Sequence, residues 1–464
     1  MTAFAFEKKV ISRTYDGRRL LCEGAATRCT GLAAGGMGDP LPIDTHLDLF
    51  YYADGCRQLC RRDQFGPSCA HGHIYRMVSE MVSEACGKRK VIKSEMNYEK
   101  ITKKFDIPGE LKKAAPFGNG HINDTVLLVF DADGSEKKYV LQKINRYVFR
   151  HPDELMANMR GITDFLKKKI ALEGGDPGRE TLTIIPARDG LDYVIDEDGE
   201  YWRMTAFVEN TVSYEVSETP EDFYLTGTAF GHFQSLLSDY PAETLYETIP
   251  GFHNTRARFM NFLKVVEEDK AGRAGECREE IEFILSRKDL ACFSMESYEK
   301  GEIPLRVTHN DTKINNLLFD TKERKPVCVV DLDTVMPGFA MTDFGDAIRT
   351  GASTAMEDEP DVNKVKCDLH LYEEFAKGFI KGCGGKLTEK EIETLPMGAL
   401  GITYEQALRF LADYLEGDVY YKTTYPKHNL VRTHTQMKLV QEMEENADKI
   451  QEIIAKAALC ACTT

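Results

Sequence analysis

Residues 307–320 read VTHNDTKINNLLFD, and eleven residues further on the run KPVCVVD ends at Asp331. A His, an Asp and a pair of Asn fall within eight residues, and an apolar strand follows at once. Polar side chains crowded against an apolar run are costly to bury unless they are hydrogen-bonded or put to chemical use. The turn TKERKP between LLFD and VCVV predicts an antiparallel hairpin, which returns Asp331 to the side of Asn316.

His309, Asp311 and Asn316 make the pattern HxDxxxxN. A hydroxyl attacking a phosphoryl group needs a carboxylate to position it and take its proton, and a metal-bound nucleotide needs oxygen ligands close by. Asp311 suits the first task as catalytic base, and Asn316 suits the second as a magnesium ligand. The Asp and Asn keep the spacing of the protein-kinase catalytic loop, but HND stands where those enzymes have HRD, which points away from protein kinases. The second metal ligand is expected on an aspartate leaving a strand. Asp331 follows Asn316 by fifteen residues and Asp343, in the literal string DFG, by twenty-seven. The hairpin favours Asp331, with Asp333 assisting a second ion. Asp343 and Asp346 are expected to cap the next helix and brace the loop.

Upstream the chain is strand-rich. DADGSE between two apolar runs reads as a hairpin turn, residues 153–173 place Leu155, Met159, Ile162 and Leu166 at helical spacing, and a second pair of strands turns at DEDG. Gly118 and Gly120 in FGNGHINDT lie between strands, where missing Cβ atoms let backbone N–H groups approach phosphates, so Gly118, Asn119, Gly120 and His121 are the expected phosphate loop. Lys143 is the candidate to reach the α- and β-phosphates from a strand, with Glu154 orienting it.

Beyond about residue 209 the pattern turns helical, through DFYLTGTAFGHFQSLL, ARFMNFLKVVEED, REEIEFILSRKD, LHLYEEFAKGFIKG, YEQALRFLADYLEG and MKLVQEMEENADKIQEIIAKAA. The expected fold is α+β in two lobes, a sheet lobe with one helix and a mostly helical C-terminal lobe, with the ligand in the cleft between them. The expected divisions are 1–95 as an extension, poorly packed or not native, with Met96 as the natural start; 96–209 as the nucleotide lobe and hinge; and 210–464 as the catalytic and acceptor lobe.

Residues 1–95 hold six of the thirteen cysteines and fourteen Lys and Arg against eleven Asp and Glu, so the remainder carries the acidity, 45 minus 64 or −19 of the total −16. Cys56, Cys60, Cys69, His71 and His73 match no zinc-finger spacing and read as free thiols and imidazoles. The acidic balance argues against nucleic acid as a partner. The charged N-terminus and the lack of an eighteen-residue apolar run point to a cytoplasmic protein with no membrane partner.

These strings resemble the phosphotransferase family of aminoglycoside, choline and homoserine kinases, built on a protein-kinase-like fold. PFGNGHINDT, VTHNDTKINN, VVDLDTVMPG, DYLEGDVYY and HNLVRTHTQ are similar to the N-acetylhexosamine 1-kinases, over roughly 97–450. The resemblance implies ATP- and Mg²⁺-dependent phosphorylation of the anomeric hydroxyl of N-acetylglucosamine or N-acetylgalactosamine. It implies Asp311 as base, Asn316 and Asp331 as magnesium ligands, Gly118 to His121 as the phosphate loop, and adenine held by backbone near Ala206 to Val208 between Met204 and Phe207.

An amino-sugar acceptor needs several fixed hydrogen bonds. His428 and Arg432, near Tyr414, Tyr420, Tyr421 and Asn429, are candidate contacts, as are His121 and Asn123 beside the phosphate loop, with Phe252, His253 and Asn254 as a second polar loop. Tyr414, on an amphipathic helix, reads as core. Two other readings stay open: a kinase of choline, ethanolamine, homoserine or an aminoglycoside, and a nucleotide-binding regulator without turnover.

Overall fold

The computed structural model describes residues 98–118 and 122–461, with two short backbone segments, Thr14–Tyr15 and Arg18–Arg19, paired antiparallel. The chain divides into two units, Met1–Met96 and Asn97–Thr464, and the candidate site lies in the second. The cluster Cys56, Cys60, Cys69, His71 and His73, the rest of the extension 1–95, and the phosphate-loop residues Asn119, Gly120 and His121 lie outside the described residues. Among the described residues no helix is long and apolar enough to cross a membrane.

A short helix, α1 (Tyr98–Thr102), precedes the strands β1 (Glu110–Pro116), β2 (Asp124–Ala132) and β3 (Ser135–Lys143). β2 and β3 meet at a two-residue turn whose Asp133 and Gly134 both have positive φ, 54° and 82°. That geometry matches the twist of the flanking strands, and Asp and Gly tolerate it. The turn fixes the register from Ala132↔Ser135 to Asp124↔Lys143. After α2 (Pro152–Leu172), β4 (Val194–Ile195) and β5 (Tyr201–Ala206) complete an antiparallel sheet in the order β1-β2-β3-β5-β4.

Successive residues of a strand point to opposite faces. One face buries Val126, Leu128, Phe130, Tyr139, Leu141, Trp202 and Met204 against Ile101 and Phe105. The other carries Gln142, Arg203 and Thr205, and Arg203 reaches the Met159 sulfur on α2 at 3.6 Å. This polar face belongs to the candidate site.

The rest of the unit is mostly helical. A small strand β6 (Thr211–Val212) is followed by α3 (Pro220–Leu236), α4 (Thr255–Glu268), α5 (Arg278–Ser286) and α6 (Lys288–Glu299). Four short strands come next, β7 (Arg306–Thr308), β8 (Leu317–Asp320), β9 (Pro326–Val329) and β10 (Met336–Gly338). The chain ends in α7 (Ala340–Gly351), α8 (Leu369–Gly382), α9 (Glu389–Glu416), α10 (His428–Glu445) and α11 (Ala447–Ala461). The architecture is therefore α+β, a sheet lobe followed by a helical region. α9 starts fifteen residues before the periodic run YEQAL: Thr388 and Glu391 close a capping box, and Pro396 is carried inside the helix. The C-terminal helical run breaks in two at Asn446, which caps α10.

α3 and α8 touch backbone to backbone because each presents two glycines four residues apart. A Cβ on Gly231 would lie 2.2 Å from the Phe379 carbonyl oxygen, and one on Gly378 2.1 Å from that of Tyr224. Phe223, Phe344, Tyr372, Phe375 and Phe379 pack around this crossing, so the helices have no room to part. Gly378→Ala should therefore lower unfolding stability by about 2 kcal/mol, the usual scale of overpacking. The check is a shift of the urea midpoint at unchanged slope; a change under about 0.5 kcal/mol would mean that the helices separate freely.

Candidate active site

β7 delivers the chain into the loop 309–316, and β10 pairs with it so that Met336 stands opposite Thr308. His309 is fully buried: one ring nitrogen meets the Val330 carbonyl at 2.9 Å, and the ring packs edge-on to Phe230 and Phe233. It anchors the loop. Asn310 turns the backbone through the left-handed region at φ 64° and donates to the Thr334 carbonyl at 2.8 Å. Asn tolerates that conformation better than most residues.

The loop backbone is fastened to α7. Asp343 accepts the N–H groups of His309 (2.9 Å) and Asn310 (2.7 Å) and a bond from Gln234 (2.7 Å). Asp346 accepts the N–H of Thr312 at 3.1 Å. Both acids brace the loop. Neither caps the helix, since the N-cap is Phe339 and has no side-chain bond.

Asp311 emerges from this frame. Its Oδ1 lies 2.5 Å from Lys313 Nζ and its Oδ2 accepts from Asn316 Nδ2 at 3.0 Å. Burial alone would raise its carboxyl, but Lys313, His309 and the Asn316 bond outweigh it and hold the group below the usual range. Because Asn316 commits its amide hydrogens to Asp311, its oxygen is the atom left to face a ligand. The hairpin of β8 and β9 forms with Leu317 opposite Val329, and the Val330 N–H donates to the Asn316 carbonyl at 2.9 Å. This brings Asp331 alongside. Asp331 sits in the left-handed region, φ 58° and ψ 55°, and is exposed to solvent. Partial loss of hydration among its packed neighbours, and then the charges of Asp333 and Asp311, push its carboxyl up to about 6.

Asp331 alongside Asn316, with Asp311 and Asp333 near enough to act on its charge, suits a hard cation with oxygen ligands. Among the described residues no group of three His, Cys, Asp or Glu side chains closes a metal cage. Mg²⁺ commonly takes one or two protein ligands and completes its shell with phosphate oxygens and water, so the donor set fits a metal carried by a nucleotide.

On the other side of the loop, His253 bridges the Asn310 carbonyl (3.2 Å) and Glu405 (2.9 Å). Glu405 is completely buried, accepts from Thr255 at 2.6 Å, and lies 3.5 Å from Arg258 and 3.9 Å from Arg409. Burial would raise it, yet His253 and the two guanidiniums pull it down to about 2. Arg409 stands over the rings of Phe252 and Tyr421 at 5.7 and 5.6 Å.

The other expected contacts take varied places in the fold. Lys143 shares the apolar face of the sheet with Leu141, opposite Trp202, and pairs with Glu200 at 3.5 Å rather than with Glu154. Strand alternation gives the site face to Gln142. Met204 is buried on that same apolar face. Ala206 and Phe207 lie at the sheet end with their N–H groups given to the Thr183 and Lys138 carbonyls, and Val208 follows, buried. Phe207 meets Phe117 edge-on at 5.9 Å. Gly118 has φ 75° and open space where a Cβ would stand. Asn123 donates to Asp333 at 2.6 Å and accepts from the Asn145 N–H.

His428 is buried and divides its ring nitrogens between Asp358 and Thr424. Arg432 is held by the Lys422 carbonyl and Asn429 above the Phe410 ring. Tyr414 is core, bonded to Glu276 at 2.6 Å. The sequence reading passed over Lys313, although a Lys two residues after the loop Asp was its signal, and over Arg203, Arg258, Glu405 and Arg409, which only the fold gathers.

Residues 113–374, more than half of the chain, match the family described as Phosphotransferase enzyme family. Among solved structures the chain is similar to a microcompartment-associated aminopropanol kinase (17% identity, 76% of this chain and 98% of that one, TM-score 0.49). It is also similar to a choline kinase from Cryptosporidium parvum (15%, 80% and 97%, 0.47) and an ethanolamine kinase from Plasmodium vivax (13%, 83% and 94%, 0.43). By the family match and the loop geometry it spans, the chain belongs to the phosphotransferase enzyme family as a small-molecule phosphotransferase.

Proposed function

We propose that this chain uses ATP and Mg²⁺ to phosphorylate the anomeric hydroxyl of an N-acetylhexosamine, N-acetylglucosamine or N-acetylgalactosamine, giving the 1-phosphate. The observation that carries the reading is the Asp311 carboxylate, kept ionised by Lys313 and Asn316 on a loop fastened to α7. Asp311 receives the acceptor hydroxyl, orients it for in-line attack and takes its proton. Asn316 and Asp331 would hold the metal, which when bound would neutralise charge on the phosphates being transferred. Gly118 to His121 approach the phosphates, and adenine lies against Phe207, using backbone groups from Ala206 to Val208 other than the two committed N–H groups. In this reading 96–209 is the nucleotide lobe, and 210–464 carries the catalytic loop and acceptor.

The acceptor class draws support from charge. Arg258 and Arg409 share one buried carboxylate, Glu405, beside the catalytic loop. A cationic acceptor wants an acidic or open aromatic box. Here the rings of Phe252 and Tyr421 are already faced by Arg409. An uncharged polyol can use the guanidiniums and Tyr421 as hydrogen-bond partners.

The test is ATP consumption with Mg²⁺ against N-acetylglucosamine, N-acetylgalactosamine, choline, ethanolamine, homoserine and kanamycin. The expected result is turnover on an N-acetylhexosamine with a product phosphorylated at C1. Turnover on a cationic acceptor alone would overturn the acceptor assignment and leave the roles of Asp311, Asn316 and Asp331 in place.

A further inference from the structure

The peptide that joins Asn310 to Asp311 is a rigid plane, so its rotation sets the direction in which the Asp311 side chain leaves the loop. Both polar edges of that plane are held. The Asp311 N–H donates to His309 Nδ1 at 3.3 Å, and the Asn310 carbonyl faces His253 Nε2 at 3.2 Å. A carbonyl only accepts, so Nε2 carries the hydrogen of that bond. The other ring nitrogen meets Glu405 Oε1 at 2.9 Å, which keeps the imidazole from turning. Glu405 is a stiff support: it sits within α9, is fully buried, and takes a further bond from Thr255 at 2.6 Å. His253 stands one residue before Asn254, whose side chain caps α4 through the Ala257 N–H at 2.9 Å. Asp343 and Asp346 accept N–H groups of the loop and, being carboxylates, cannot hold a carbonyl. That edge is left to His253.

We propose that His253 is a positioning residue for phosphoryl transfer: braced by Glu405, it fixes the 310–311 peptide and thereby aims the Asp311 carboxylate at the acceptor hydroxyl. This rests on the role given to Asp311 above. Arg258 and Arg409 lie 3.5 and 3.9 Å from the Glu405 oxygen that His253 meets, so the support is itself held from α4 and from the next turn of α9. The aim matters because a misplacement of about 1 Å at a reacting group can cost about 10²-fold in rate. One hydrogen bond to a backbone carbonyl is therefore felt at the chemistry, although His253 acts only through its neighbour.

Two substitutions separate the two ends of the ring. In His253→Gln the amide nitrogen takes the place of Nε2 and keeps the bond to the Asn310 carbonyl. In His253→Asn the shorter amide takes the place of Nδ1, keeps Glu405 and gives up the carbonyl. The experiment is steady-state turnover of the full chain at varied ATP and acceptor, with thermal unfolding and amide hydrogen exchange over residues 309–316. In His253→Asn the expected result is kcat at least about tenfold down, with KM for ATP within about threefold and the melting temperature near that of the parent. His253→Gln should recover kcat to within about threefold of the parent. Added to Asp311→Asn, His253→Asn should cost nothing further, since both act on one carboxylate, whereas a merely structural role would lower both backgrounds alike. Equal kcat in the folded Asn and Gln variants, or additive losses with Asp311→Asn, would overturn the assignment. Exchange decides the same point without turnover: residues 309–316 should exchange about tenfold faster in His253→Asn than in His253→Gln, and equal rates would overturn it. A parent that phosphorylates no acceptor would overturn the functional reading alone, while the exchange rates still decide whether His253 holds the loop.

Discussion

Asp311→Asn lowers the turnover number about 10³-fold in the expected result, with KM for ATP changed less than about threefold, a loss within the usual range for removing a positioned general base. The substitution is nearly isosteric. The backbone of residues 309–312 is held by Asp343 and Asp346, neither of which is touched, so the loop keeps its place. What disappears is the acceptor for the hydroxyl proton and the partner 2.5 Å from Lys313 Nζ. An interaction made only at the transition state lowers kcat and kcat/KM together, and steady-state rates at varied ATP and acceptor measure both. Turnover within tenfold of the parent would assign the proton to another group and sink the role of Asp311.

The parts of this site that were legible in the sequence are those whose partners are close in the chain. The turn TKERKP joins β8 to β9, so Asn316 and Asp331 could be brought together on paper by a hairpin rule. The two-residue turn at Asp133 and Gly134 fixed β2 against β3 in the same way. That register also held the answer for Lys143. Val126, Leu128 and Phe130 alternate on one face, their partners Tyr139 and Leu141 share it, and two residues further on that face lies Lys143, away from the site. The sequence reading followed residue type, a strand lysine, and missed strand parity. Met204 falls on that same face.

Arg203 and Asp333 are 130 residues apart, and His253 and Glu405 152 apart. No local period connects them, because a tertiary ion pair leaves no trace in hydrophobic alternation. His428 and Arg432 sat in a string crowded with polar groups, which read as a ligand cluster. In the fold those groups satisfy one another around the N-terminal turns of α10, with Asn429 bonding Asp413 and Asp418 at 2.8 and 2.9 Å. Buried polar groups must find partners, and a dense polar string often supplies its own.

Asp331→Asn is expected to abolish activation by Mg²⁺, with turnover at saturating ATP at least about 10³-fold down, equivalent to about 4 kcal/mol of transition-state charge stabilisation. Asn is the replacement to use, since position 331 has φ 58° and Asn is among the few side chains at ease there. Ala would mix a backbone cost of about 1 kcal/mol into the result. The native carboxylate stands beside Asp333 and Asp311, whose charges make it harder to ionise. Removing that charge relieves repulsion in a metal-free chain, so the melting temperature should hold or rise while activity falls. Loss of function at equal or greater stability is the mark of a residue kept for chemistry rather than for the fold. Rate against Mg²⁺ and Mn²⁺ concentration, paired with thermal unfolding, reads both halves. A variant that keeps its metal response would require another oxygen ligand, and Asp333 is a poor substitute while Arg203 and Asn123 hold both of its carboxylate oxygens.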